Sequence, residues 1–229
     1  MKRIIIGVLA VLAAYGLVAY VIVPQVWHRY EERHPALANA EKITHTGSGI
    51  PGDPVNLGLV GSETEIHRAM LAAKWHPADP ITLESSLRIA ADVIFDRSYA
   101  DAPVSNLYLF GRKEDLAFEQ AIGSDPTRRH HVRFWRSKEL DKNGEPLWFG
   151  AATLDQSVGL SYTTGQITHH ISPDVDAERD RIIDDIKRAG DLASVYWVDG
   201  FHKELEGKNG EGDPWRTDGR LAVGVLELK

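Results

Sequence analysis

Apolar and polar positions divide this chain into three zones. From Ile4 to Val23 no charged residue occurs, and apolar side chains lie on every face of the helix they would form. A helix rises about 1.5 Å per residue, so this run matches a hydrocarbon core roughly 30 Å thick. A helix packed on a soluble core would instead confine its apolar residues to one stripe. The pattern therefore predicts a single transmembrane anchor at residues 4–23, with the lipid bilayer as its partner. Residues 24–53 hold Pro35, Gly47, Gly49, Pro51 and Gly52, with Pro54 just beyond, and are expected to be an irregular tether. From residue 54 to residue 229 short periodic segments alternate with turn residues, as expected of one folded domain.

Inside that domain the periods switch between helix and strand. Residues 55–60 predict a first strand, and Ser62 caps a helix over 63–74 with Ile66, Ala69, Met70 and Ala73 on one face. A second helix is predicted over 83–95, with Leu87, Ala90, Ala91 and Ile94 as its stripe. Strands follow at 107–110, 116–118, 131–136 and 147–154, the last two joined around Asn143-Gly144. Residues 158–162 and 166–171 flank Thr164-Gly165 as another hairpin. A helix over 173–189 is capped by Ser172 and begins at Pro173, with Asp174, Asp176 and Glu178 at its positive end and Gly190 beyond its last turn. Strands at 193–198 and 221–228 enclose a polar, Gly-rich loop expected to be mobile. The fold class is α+β: a mostly antiparallel sheet packed by two or three helices, preceded by one N-terminal transmembrane helix.

Charge and composition narrow the function. The chain has 33 acidic and 26 basic residues, a net charge of −7, which argues against nucleic acid or anionic headgroups as its main partner. It has no cysteine, which excludes disulfides, thiolate metal sites and cysteine nucleophiles. Lys2 and Arg3 precede the apolar run, and basic residues favour the cytoplasmic side. Arg29 and Arg33 oppose that bias, but Glu31 and Glu32 lie between them. Residues 1–3 are thus expected inside and the domain outside the inner membrane, in a periplasm-like space. A cleaved signal peptide has a shorter apolar region, about 7–15 residues, followed by a small-x-small site; here the run is longer and no clean Ala-x-Ala site closes it.

Several phrases resemble a known family. They are DPVNLGLVGSETE, PVSNLYLFGRKEDLAFEQ, RRHHVRFWR, WFGAATLDQSVGL and TGQITHHISPDVDAERD, with TDGRLAVGVLEL near the end. Their order and spacing resemble the LssY C-terminal domain family. The resemblance implies an appendage to membrane-embedded regions that include a phosphatase-type one, linked to type I secretion. It implies no catalytic residue and no cofactor.

Candidate chemistry rests on histidine and arginine. His130-His131 and His169-His170 are adjacent pairs on predicted strands, so each pair presents one imidazole per face. His131, Arg133 and Trp135 share one face, while Val132 and Phe134 share a buried one with His130. A metal reading combines His131 and His170, or His169, with Asp155 or Asp174. The spacings match no helical His-x-x-x-His site, and hydrogen bonds to loops or acids are the expected role of these imidazoles. Arg179 lies on the apolar side of the last helix, near Val175, Ile182 and Ile183. With His131 and Arg133 it would make an anion site; a structural ion pair with Asp155 or Asp176 is favoured. Trp135 and Trp148 are expected to face each other across their hairpin. No nucleophile elbow or phosphate loop is present. The candidate ligand or anion site is His131, Arg133, His169, His170, Arg179 and Asp155, with an envelope protein or an anionic small molecule as partner. The expected role is binding, with a phosphoesterase-like hydrolase as the alternative.

Overall fold

The structure, a computed structural model, describes residues 2–23, 25–26, 42–78, 106–123, 128–141, 143–165 and 167–227. The helix expected at 83–95 and most of the expected tether lie outside the described residues. The apolar run forms helix α1 (Lys2–Leu17), continued by a wider π turn to Ile22. It is long and apolar enough to cross a membrane, and its side chains are exposed almost throughout. The same length and composition also fit a signal sequence. The Tyr15 hydroxyl donates to the Gly165 carbonyl of the domain, and Ala19, one turn further along, is buried.

The domain begins with strands β1 (Ile43–Thr46), β2 (Pro51–Pro54) and β3 (Leu57–Val60). The first two lie in the stretch whose prolines and glycines suggested irregular chain. They tolerate those residues because both belong to a small sheet whose partner strands are equally short. Helix α2 (Glu63–Ala72) follows, opened by a capping box in which Ser62 and Glu65 satisfy each other's backbone N–H groups. Next come β4 (His76–Pro77), β5 (Leu107–Leu109), β6 (Arg112–Lys113), β7 (Leu116–Ala121), β8 (Arg129–Leu140), β9 (Pro146–Leu160) and β10 (Ile167–Ile171). Helix α3 (Val175–Ala189) is capped by Asp174, whose carboxylate accepts from Ala177 N–H, and not by Ser172. Gly190 ends it in the left-handed region at φ 74°. The chain closes with β11 (Leu192–Val198), β12 (Glu206–Lys208), β13 (Pro214–Arg216) and β14 (Leu221–Leu226). The loop expected to be mobile thus holds a hairpin, and its Asn209 and Asp213 are buried.

Eight strands form the main sheet, in the order β11-β14-β3-β9-β8-β7-β4, with β10 paired to β9. All neighbours are antiparallel except β14 and β3. Strand β9 is long enough to pair with β3 along its first part and with β10 along its second. Where β3 leaves it, buried Asn56 fills the gap, bonding Ala152 through both amide atoms and also the Val175 carbonyl. One face of the sheet is covered by α2 and α3, and Leu57, Phe118, Val132, Phe134, Trp148 and Ala152 form its core with Ile66, Met70 and Ile182. The small sheet, in the order β2-β1-β5-β6, contributes Leu107 and Leu109 to a second cluster with Val60, Trp135, Ala151 and Val223. Trp135 and Trp148 therefore do not meet. The register sets Trp148 opposite Arg136 and Trp135 opposite Phe149, which puts the two indoles on opposite faces.

Candidate functional site

Beyond the second apolar cluster, that same face turns polar. Register places Arg129 opposite Asp155 and His131 opposite Thr153, with Glu119 of β7 on the other flank of His131. Alternation along β8 then puts Arg129, His131 and Arg133 in one row. Asp53, at the inner edge of the small sheet on β2, faces the row from above. Asp53, Glu119, Arg129, His131, Arg133, Thr153 and Asp155 are each less than one-tenth exposed.

The side chains are linked in sequence. Arg129 Nη1 lies 3.1 Å from Glu119 Oε2, its Nε lies 3.4 Å from Asp155 Oδ2, and its Nη2 lies 3.3 Å from His169 Nε2. His131 Nδ1 sits 3.0 Å from the same Asp155 oxygen, and its Nε2 sits 2.6 Å from Thr153 Oγ1. Arg133 Nη1 reaches Asp53 Oδ2 at 3.4 Å, and that oxygen is 3.9 Å from His131 Nε2. Asp155, His131 and Thr153 thus form a carboxylate–imidazole–hydroxyl line. Asp155 Oδ1 is buried and has no hydrogen-bond partner among the described residues.

Electrostatics fix the protons. Burial alone would raise the Asp155 pKa, but His131, His169 and Arg129 around it reverse this and hold it well below the usual carboxylate range. An ionised carboxylate only accepts, so the proton of the bond belongs to His131 Nδ1. Burial disfavours charge on His131, yet the Asp155 carboxylate outweighs it and raises its pKa. His169 is pushed down to about 4, by burial above all, with Arg129 adding to the effect against the pull of Asp155. It is a neutral imidazole whose Nε2 lone pair accepts from Arg129.

A family model described as the LssY C-terminus matches residues 37–221. The chain belongs to the LssY C-terminal domain family. No curated protein and no solved structure matches it. The matched region starts ahead of β1, so it covers the small sheet that carries Asp53 as well as the main one.

Within this LssY C-terminal domain, the structure brings together four of the six candidate residues: His131, Arg133, Asp155 and His169. His170 points the other way from β10, bonds Asp213 at 2.7 Å and packs its ring 4.7 Å from that of Tyr162. Arg179 is elsewhere. It is 1 % exposed, grips Asp218 with both terminal nitrogens at 2.9 and 3.3 Å, and also pairs with Asp176 and Asp180. Its guanidinium lies 4.8 Å over Trp197, so it fastens α3 to the C-terminal strands. His130, on the helix-covered face, pairs with Glu178 at 2.7 Å. Asp174, considered above as a metal ligand, caps α3 and pairs with Arg216. No group of three or more His, Asp or Glu side chains among the described residues is arranged to hold a metal ion.

Sequence reasoning missed Asp53, Glu119, Arg129 and Thr153. Arg129 and Thr153 carry a readable signal, since each continues the every-second-residue pattern of a named candidate: Arg129 precedes His131 by two, and Thr153 precedes Asp155 by two. Asp53 and Glu119 carry none, because their approach depends on how the small sheet folds over and on which strand borders β8.

Proposed function

We propose that the chain is a membrane-tethered module of the cell envelope that binds an envelope protein or a small anionic ligand, with its domain on the outer side of the cytoplasmic membrane. Residues 4–23 are the retained anchor, and Lys2 and Arg3 hold the amino terminus inside. The observation that supports binding over turnover is the internal pairing of the polar cluster: Arg129 faces Glu119 and Asp155, Arg133 faces Asp53, and His131 faces Asp155. Of these pairs Arg133–Asp53 joins the small sheet to the main one and the others tie β7, β8 and β9 together, so the charged groups are engaged in internal contacts. The test has two parts. Alkaline phosphatase fused behind Lys229 should be active, whereas a cytoplasmic fluorescent reporter at that place should be dark. The chain should resist alkaline extraction from membranes; release into the wash would refute the anchor.

A second reading, a hydrolase acting on an envelope lipid or glycan, has one specific observation in its favour. Thr153 Oγ1, His131 and Asp155 have the order and spacing of an activated hydroxyl. In such a reaction Thr153 would give its proton to His131 Nε2 as it attacked phosphorus or a carbonyl carbon, the leaving group would take that proton, and a water deprotonated by His131 would then cleave the Thr153 ester and return the proton to Thr153 Oγ1. Thr153 is fully buried, so the small sheet would have to lift for a substrate to reach it. Hydrolysis of p-nitrophenyl phosphate or acetate that is lost in His131→Ala would establish this reading over the first.

A further inference from the structure

The open ends of the sheets differ in how they meet solvent. The main sheet ends on one side at β4, which is two residues long and includes Pro77. The small sheet ends at β2, with a proline at each terminus, and at β6, which is Arg112–Lys113. Strand β10 is met by the loop between β12 and β13, whose Asp213 accepts from Ile171 N–H at 3.4 Å and holds His170. Shortness, proline, charge and a covering loop are the usual means of stopping an edge from recruiting another strand. Strand β11, at the other end of the main sheet, is seven residues long, and Leu192–Val198 contains no charge and no proline. Among the described residues no strand lies beyond it.

The surface that β11 presents is apolar and held in place. Trp197 is 41 % and Val198 is 38 % exposed. Arg179 and Arg220 lie over the Trp197 ring, 4.8 and 4.4 Å from its centre, so the indole is fixed while much of it stays in water. After an irregularity between Leu192 and Ser194, the strand runs in unbroken register from Ser194 opposite Val225 to Val198 opposite Leu221. Its backbone is thus already extended, as a further strand requires. That ladder names the occupant as a strand, and the charge pattern favours this same strand from a second copy. Directly opposite residues of an antiparallel pair share a face, so a two-fold axis sets one residue against itself. With Tyr196 at the axis, Ser194 meets Val198 and Val195 meets Trp197, each twice. Asp199 then falls opposite Ala193, and no like charges face each other.

We propose that two copies of the chain pair through β11, antiparallel about a two-fold axis at Tyr196, and join their main sheets into one. The exposed indole of each copy then covers the smaller Val195 of the other, an aromatic anchor of the kind that carries association energy. The membrane anchors proposed above gather the copies in one plane and so raise their effective concentration. The pairing uses the sheet edge and leaves the polar row of Arg129, His131 and Arg133 untouched.

The chain lacks cysteine, so single thiols report the pairing. Directly opposite residues lie about 4.5–5.5 Å apart at Cα, within disulfide reach, whereas a residue one step off the axis lies about 8 Å from its own copy, beyond that reach. Full-length Tyr196→Cys, Val195→Cys, Trp197→Cys and a control, Leu140→Cys, are reconstituted in phosphatidylethanolamine–phosphatidylglycerol vesicles and oxidised with copper phenanthroline. Tyr196→Cys should give roughly fivefold more disulfide-linked dimer, or better, than any of the other three alone. Val195→Cys and Trp197→Cys reconstituted together should exceed either alone by roughly the same factor, a readout that leaves Tyr196 intact. No linked dimer in either experiment, or equal linking by Leu140→Cys, overturns the proposal. Alkaline extraction of the same vesicles reads the anchor separately. A linked chain in the wash refutes the anchor and supports the pairing; a retained but unlinked chain refutes the pairing alone.

Discussion

On the helix-covered face of β8 and β9, Val132, Phe134 and Ala152 belong to one cluster with Phe118, Met70 and Ile182. On the other face, at neighbouring positions of the same strands, Arg129, His131 and Arg133 meet Glu119, Asp155 and Asp53. Both faces are buried, but they respond to damage differently. Apolar contact is non-directional, so its cost scales with the volume lost. The polar face depends on each group having its counterpart, because one removal leaves the others charged and dry. A buried ion network thus contributes little beyond what well-packed carbon would, while being far less tolerant of single changes.

The sharpest way to break this comparison is Asp155→Ala. It strips His131 and Arg129 of a shared carboxylate and should cost about 3–5 kcal/mol, comparable to the ~3–5 kcal/mol of Phe134→Ala on the other face. Thermal denaturation in detergent reads both. A loss under about 1 kcal/mol for Asp155→Ala would show that the cluster is not what ties β8 to β9. The triple variant Arg129→Met, His131→Leu, Asp155→Leu should recover most of the loss if the cluster is purely structural.

Arg179→Met comes next. It leaves Asp218 and Asp176 facing a thioether and unfastens α3 from the C-terminal strands, at about 2–4 kcal/mol. A melting temperature unchanged by this substitution would remove Arg179 from any structural role.

Acid should weaken the polar face selectively. His169 in the folded protein binds its proton only near pH 4, whereas the unfolded chain takes one up near 6.5. Its contribution is therefore in place above 6.5 and declines as pH falls from 6.5 towards 4. His131 has the opposite sign: its raised pKa adds stability below 6.5 that is lost as pH rises through the folded value. His169→Gln should accordingly lose less melting temperature than the parent chain between pH 7 and pH 4. Equal losses would place the acid sensitivity elsewhere. The smallest effect is expected of Ser62→Ala, which removes half of the capping box on α2 for about 1 kcal/mol; a melting curve shifted by about 2–4 °C would match it.

Periodicity was a reliable guide where one face of an element is apolar. The α2 stripe of Ile66, Ala69 and Met70, the α3 span ending at Gly190, and the split of His130 from His131 across β8 all follow from spacing alone. It failed where pairing between distant segments decides. Pro51 to Pro54 is a strand because β1 and the main sheet lie against it, and Trp148 turns from Trp135 because the β8–β9 register sets it opposite Arg136. For the site, alternation was enough to associate His131 with Arg133. The arrival of Asp155 and Thr153 needed the register, and that of Asp53 needed the fold of the small sheet. Arg179 looked anomalous on an apolar stripe because Asp218, its main partner, lies far along the chain.

The parallel pair in the main sheet also bears on how the domain comes into being. Leu57 to Val60 neighbours Ala222 to Val225, so one of the earliest strands of the domain waits for the last described one. Strand β14 fills an interior place between β11 and β3, not a rim. Until Leu226 has left the ribosome, the sheet has a missing member at its middle, and the apolar sides of β3 and β11 stay uncovered. The sheet can therefore close only once Leu221 to Leu226 has been made, and the earlier strands wait on it until then.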